Sequence, residues 1–306
     1  MTHAYMILAH NEFALLARLV SVLDYPCNSI YIHIDKKVKD DVFGQVKRQL
    51  EGSVKQASLA FTARREDVVW GDFSMVEAEL LLLREASAVH HDYYHLLSGT
   101  DLPIKPHSEI TRFFEENAGR EFIQGYRFPP RSATRWRLRY YYPLQHVVGR
   151  HLLGPLGLLQ WALLLPQMLV GVNRLRRLPK DFYKSRQWFS ATHEFVADLL
   201  EFYSRDENLR AYRMTMIPDE SFVQMFAFHS KYRERIFLHK RYPGYDGLVC
   251  NNMRLDVWAK GFHGSPVTFT MDDLARIMES GQLWARKFSF EKHPDVVEAI
   301  LERIAE

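Results

Sequence analysis

Two cysteines in 306 residues, Cys27 and Cys250, stand far apart, and neither belongs to a CxxC pair. No disulfide framework is readable from them, and such sparse usage points to a reducing compartment. The opening stretch is not expected to be a secretory leader either. The opening MTHAYMILAHNE has no basic start, and its apolar stretch is about one strand long. The expected location is therefore the cytoplasm. The chain contains no GxSxG, no GxxxxGK followed by Ser or Thr, and no GxGxxG, which removes the strongest support for serine-hydrolase, P-loop and dinucleotide readings. Its 14 histidines never form HExxH. No Asp-x-Asp closes a strand: the corresponding ends read HID (33–35) and SGTD (98–101), while Asp40-Asp41 falls in an expected helix. A hard cation thus finds no obvious oxygen cage, and no metal is expected. A net charge of +3 suits an anionic ligand or a lipid surface, and no nucleic-acid signature accompanies it.

What is present is a core. At 47% hydrophobic and 13% aromatic the chain has ample material to bury, which excludes wholesale disorder. Tyr5–Ala9, Ile30–Ile34, Leu59–Phe61 and Tyr93–Leu97 read as strands. Between them lie helical patterns, one with Asn11 as its expected N-cap and one opened by an expected SMVE capping box (Ser74–Glu77). This alternation predicts an α/β fold with a central, mainly parallel sheet flanked by helices, and a ligand crevice at the strand carboxyl ends. His10, Asp35 and Ser98–Asp101 all fall on that edge. Further on, Gln187–Ala191 reads as a strand, His193–Tyr203 as a helix, 240–262 as loop-rich and Arg254–Trp258 as a strand. A second capping box is expected at Thr270–Asp273, and an amphipathic helix closes the chain.

Residues 126–150 are dense in Arg and Tyr, and 152–172 (LLGPLGLLQWALLLPQMLVGV) carry no charge. Three readings compete for the apolar run: docking on a membrane surface, a buried helical hairpin, or a true span. Pro155, Pro166 and the glycines argue against a straight span.

Two motifs carry candidate chemistry. In TMIPDESFVQ, Asp219 and Glu220 can be an acidic helix start, a metal site, or a cap beside a general base. In WARKF, Arg286 and Lys287 can grip a phosphate or form an ordinary solvated doublet. Ser98, Gly99 and Asp101 can equally be a tight turn or a ligand-binding strand end.

Taken in order, AYMILAHNE (4–12), IYIHIDKK (30–37), VVWGDFSMVEAELLLL (68–83), YYHLLSGTDLPIK (93–105), QWFSATHEFV (187–196), PDESF (218–222) and SPVTFTMDDL with LWARKF (265–288) resemble the core-2/I-branching β-1,6-N-acetylglucosaminyltransferase family. That family also contains the peptide O-xylosyltransferases. The resemblance covers nearly the whole chain outside 126–180. It implies one catalytic domain over 1–306 with an insertion at about 126–180. It also implies a GT-A-type, Rossmann-like nucleotide-sugar fold and inverting transfer from a UDP-sugar without a cofactor or divalent metal.

By the same resemblance Glu220 is the catalytic base. Arg286 and Lys287 neutralise the diphosphate. Leu8, Ala9, His10 and Asp35 form the nucleoside pocket, and Trp70, Gly71, Ser98, Gly99 and Asp101 line the donor side. Trp188 and Asp219 belong to the acceptor side, Asp219 as helix cap and orienting neighbour. UDP-GlcNAc is the first expected donor and UDP-xylose the alternative. The acceptor is expected to be a hydroxyl of a glycan, a lipid-linked glycan or a protein. Many relatives read Gly-Ser-x-Trp where this chain has Ser185-Arg186-Gln187-Trp188. With no animal-type anchor, stem or disulfides in the sequence, the expectation is a bacterial-type enzyme of surface-glycan synthesis, cytoplasmic or peripheral on the inner face of the membrane. Two rivals from other classes are a non-catalytic nucleotide-sugar-binding protein and a membrane-associated scaffold.

Overall fold

The structure, a computed structural model, describes residues 1–129, 132–240, 249–250, 252–258 and 266–305. The loop-rich stretch expected at 240–262 lies largely outside them, as do Arg131 and Ser265.

In chain order the strands are β1 (His3–Ala9), β2 (Asn28–Ile34), β3 (Ser58–Phe61), β4 (Tyr93–Ser98), β5 (Leu102–Pro103), β6 (Phe122–Ile123), β7 (Tyr126–Phe128), β8 (Phe182–Lys184), β9 (Phe189–Thr192), β10 (Leu238–Lys240), β11 (Val249–Cys250), β12 (Arg254–Asp256) and β13 (Trp284–Arg286). The main sheet has the order β3-β2-β1-β4-β9-β6. Its first four strands are parallel, and β9 runs antiparallel to both β4 and β6. The sheet is thus mixed but mainly parallel. A smaller sheet, β12-β13-β5, stands beside it.

The helices are α1 (Phe13–Val22), α2 (Asp40–Ser53), α3 (Ser74–Ser87), α4 (His107–Glu116), α5 (Trp136–Arg139), α6 (Gln145–Val148), α7 (Pro155–Ala162), α8 (Leu164–Leu169), α9 (His193–Ser204), α10 (Asp206–Arg210), α11 (Phe222–Phe228), α12 (Leu274–Met278) and α13 (Pro294–Ile304). Strand β1 shows why they cover both faces. Ala4 and Met6 join a core with residues of α3, α9 and α11. Tyr5, Ile7 and Ala9 join another with α1, α2, α4 and α13. Alternate side chains leave a strand on opposite faces, so a strand apolar at every position needs helices on both sides.

Three expected helix starts are placed differently. Residue Asn11 does not cap α1; Glu12 does, in a left-handed turn (φ 53°). Its carboxylate is used elsewhere, accepting from Ser289 Oγ and from Phe290 N at 3.0 Å. The SMVE box does not form, because Ser74 is already helical. Asp72 Oδ2 instead accepts from Ser74 N, while Ser74 Oγ accepts from Val69 N. Neither Asp219 nor Glu220 lies on a helical turn: α11 begins at Phe222 with Ser221 as N-cap. The cause is tertiary, since Ile217 N donates to Gly71 O at 2.7 Å and holds the preceding segment to a distant loop. The Thr270–Asp273 box does form, with both reciprocal bonds.

Candidate active site

The crevice begins where the parallel strands end. Gly99 N donates to Leu8 O, and Asp35 N donates to Ala9 O, both at 2.9 Å, so the ends of β1, β2 and β4 are stitched together. Gly99 has to be glycine here, because a Cβ would stand 2.9 Å from the Cβ of Ala9. Asp35, buried, accepts from Lys37 N at 2.8 Å and pairs with its Nζ at 3.2 Å. His10 is exposed at the same edge. Partial burial depresses its pKa, Asp35 opposes this, and Lys287, Arg150 and Lys37 push it further down.

On the other side stands the basic doublet. Arg286 ends β13 and is not a solvated surface residue. Its Nε donates to Asp101 Oδ1 at 3.0 Å, and its guanidinium lies 4.3 Å from the ring centroid of Trp188. Asp101 is 1% exposed, and its other oxygen accepts from Ser98 N at 3.0 Å. Burial raises its pKa against the pull of Arg286. Ser98 Oγ in turn bonds Thr100 Oγ1. The SGTD turn is therefore a built cradle for one guanidinium. Trp188, expected on the acceptor side, is buried and serves as the platform for that cation.

Beneath them Arg254, buried, donates to Phe189 O and Leu96 O and lies over Trp284. Burial lowers its pKa to about 9. Lys287 has no carboxylate within ion-pair distance among the described residues. Its pKa is depressed by burial, then by Arg286 and Arg150. The site is locally short of negative charge, which is the electrostatic setting a phosphate completes.

Glu220 sits in the turn before α11, with its carboxylate a quarter exposed. Lys184 Nζ and Arg137 Nη1, the latter at 3.3 Å, both bond its Oε2. Its backbone carbonyl accepts from Ser185 N at 2.8 Å, three residues before Trp188. Arg186 lies between the two halves. It pairs with Asp256 and stacks on Trp258, and its pKa falls to about 10 through burial, with Arg286 and Glu220 both felt electrostatically. Asp219 points inward, and burial followed by the Glu220 charge raises its pKa to about 7. It is a buried acid, not the expected helix cap.

Trp70 and Gly71 reach this region from the other direction. Gly71 adopts φ +73° and a Cβ would press on Gln145 and Ile217. Trp70 O accepts from Gln145 Nε2, and the Trp70 ring lies under Arg150. Reasoning from sequence missed Lys184, Arg137, Arg186 and Arg254. The arginine density of 126–150 was the one signal for any of them, and it did not say which arginine turns inward. Among the described residues no group of three or more His, Cys, Asp or Glu converges as a metal site would.

An α/β fold with cations gathered beside one partly exposed carboxylate is the layout of a group-transfer enzyme acting on an anionic substrate. The family description "Branch: Core-2/I-Branching enzyme" matches residues 3–278, and the chain belongs to that family. It is similar to the human N-acetyllactosaminide β-1,6-N-acetylglucosaminyl-transferase, 26% identical over 97% of this chain and 70% of the relative. It is also similar to the human β-1,3-galactosyl-O-glycosyl-glycoprotein β-1,6-N-acetylglucosaminyltransferase, at 31% over 45% of this chain and 32% of that protein. The xylosyltransferase oxt of Drosophila pseudoobscura pseudoobscura matches at 24% over 94% of this chain, which spans only 31% of that protein's length. The protein is a glycosyltransferase of this β-1,6-GlcNAc-transferase and xylosyltransferase family, whose members transfer GlcNAc or xylose and work without a metal. The family implies a GT-A fold; the observed architecture is α/β, a mixed, mainly parallel sheet flanked by helices.

Proposed function

We propose that the protein transfers a sugar with inversion from a UDP-sugar, UDP-GlcNAc first, to an acceptor hydroxyl, with Glu220 as base and no divalent metal. The acceptor O–H proton passes to Glu220 as the oxygen attacks the anomeric carbon. The bond from that carbon to the diphosphate oxygen breaks on the opposite face, and UDP leaves. Arg286 and Lys287 take up the charge that develops on the leaving diphosphate, the role a metal plays elsewhere. Lys184 and Arg137 hold the Glu220 carboxylate in place.

The observation that carries this reading is the cradle of Arg286. A guanidinium fixed by a buried carboxylate and an indole face is oriented before any ligand arrives, and beside it Lys287 has no ion-pair partner among the described residues. A surface doublet has neither feature. UDP-xylose is the alternative donor. Synthesis of a bacterial surface glycan is the biological setting we favour, on the chemistry of the surface described next.

The test is titration calorimetry with UDP, with and without EDTA, followed by a screen of UDP-sugars comparing wild type with Glu220→Gln. UDP binding unaffected by EDTA is expected. Turnover in the variant should fall by roughly 10²- to 10⁴-fold, the usual worth of a general base, with UDP affinity kept. Absence of UDP binding, or full activity in Glu220→Gln, would overturn the assignment.

A further inference from the structure

The apolar run 152–172 is neither a straight span nor a buried hairpin. It folds as α7 and α8, of eight and six residues, and among the described residues no helix is long and apolar enough to cross a membrane. Nor is it buried. Leu153, Leu165 and Leu169 are 74%, 62% and 87% exposed, and Leu156, Leu158, Leu159 and Trp161 also face outward.

The polar residues of the same helices turn in. Gln160 is 1% exposed and donates to Gln145 Oε1. Gln167 brackets Tyr141, accepting from its N–H and donating to its carbonyl. A helix pair with glutamines inside and most of its leucines outside inverts the pattern of a water-facing element, and exposed apolar surface of this extent marks an interaction site.

The surrounding charge says what the surface meets. No Asp or Glu occurs from 122 to 180, whereas arginines recur throughout. Arg176, Arg177 and Lys180 follow directly after the helices and are exposed, and Arg176 and Arg177 have no ion-pair partner among the described residues. Exposed apolar side chains followed in the chain by unneutralised cations fit the boundary of an anionic bilayer, where acyl chains receive the former and lipid phosphates the latter. We infer that α7, α8 and the basic segment 176–180 dock this protein on an anionic lipid surface.

The inner side of the same element ties docking to the site. Tyr142 N donates to Met214 O, Met216 N donates to Arg137 O, and Leu164 packs with Met216 beside Trp70 and Ile217. The docking element therefore supports the loop that leads into Glu220. Given the reading of Glu220 as base, the acceptor hydroxyl is one presented at the bilayer, a lipid-carried glycan in preference to a dissolved one.

Sedimentation with vesicles tests this. Phosphatidylcholine vesicles with and without phosphatidylglycerol are compared for wild type, Leu158→Glu/Leu165→Glu and Arg176→Glu/Arg177→Glu. Wild type should pellet with the anionic vesicles and little with phosphatidylcholine alone, and added salt should weaken the binding. The leucine pair should abolish it, and the arginine pair should weaken it by about tenfold or more. UDP affinity should be unchanged in both variants, which shows the fold intact and separates this result from the fate of the proposed activity. Failure of wild type to bind anionic vesicles would overturn the inference, as would equal binding by the leucine variant. A wild-type dimer by ultracentrifugation that Leu158→Glu/Leu165→Glu dissociates, with no vesicle binding, would mean that a second copy covers the surface instead.

Discussion

At the scale of single residues, the site works by fixing charges before the substrate arrives. Arg286 has lost most of its freedom to Asp101 and Trp188, so binding a phosphate costs it little further ordering. Asp101→Asn keeps the volume but removes the charge that aims the guanidinium. UDP affinity should fall by about tenfold, the scale of one charge-assisted hydrogen bond, as read by calorimetry. An unchanged affinity would show that the indole alone suffices. The doublet itself was visible in the sequence as a basic pair among aromatics. Its partner was not, because Asp101 lies 185 residues away and in sequence reads equally as a turn residue. The same holds for Lys184 and Arg137, whose contact with Glu220 spans 36 and 83 residues.

At the scale of elements, two glycines and one control separate close approach from mere flexibility. Gly99→Ala drives a Cβ into Ala9 where β4 meets β1, and overpacking of this kind costs about 1–3 kcal/mol. Gly71→Ala adds a left-handed backbone penalty of about 1 kcal/mol to its contacts with Gln145 and Ile217. Gly52, inside α2, meets nothing within 4 Å, so Gly52→Ala should stabilise by about 0.5–1 kcal/mol. Thermal unfolding should therefore shift down for the first two variants and up for the third. A rise for Gly99→Ala would refute the close-approach argument. The capping errors belong to this scale too. Ser-x-x-Glu and Asn-before-apolar patterns are local preferences; at α1 tertiary bonds from Ser289 and Phe290 to Glu12 outweighed them, and at α3 a different local bond, from Ser74 N to Asp72, took their place.

At the scale of the whole molecule, buried titratable groups set the pH range of stability. Glu79, fully buried and with neither oxygen hydrogen-bonded among the described residues, has its pKa raised well above the ordinary range by burial and then by Asp219. Burial raises Asp219 and Glu121 to about 7. A carboxyl raised on folding contributes stability that is complete below its unfolded value near 4 and is lost as pH climbs through the folded value. His3 and His95 act in the opposite sense. Bonded to each other at 2.9 Å and buried, they are held neutral, His3 down to about 3. Their contribution is complete above about 6.5 and is lost as pH falls toward that low value. Up to about pH 6.5 the two trends oppose each other, and above it the carboxyls act alone, so thermal stability should decline from about pH 6.5 to pH 8. Glu79→Gln should flatten that decline, with the gap over wild type widening as pH rises. A gap independent of pH would mean that Glu79 is not protonated in the fold.

The alternation of strands and helices, the placement of polar residues at strand ends, and the ordered motifs that mark the family were all in the sequence, because periodicity and motif order are properties of neighbours along the chain. The sequence also singled out Glu220 and the Arg286-Lys287 pair. It left the apolar run open among three fates, since composition measures how much apolar surface exists and not which way it turns. Only the tertiary structure decided that the glutamines of α7 and α8 face inward and most of the leucines outward, that Asp219 is a buried acid and not a cap, and that Trp188 lies beneath a cation. Each of these depends on groups brought together from distant parts of the chain, where free energy is set by burial and charge, which local spacing does not record.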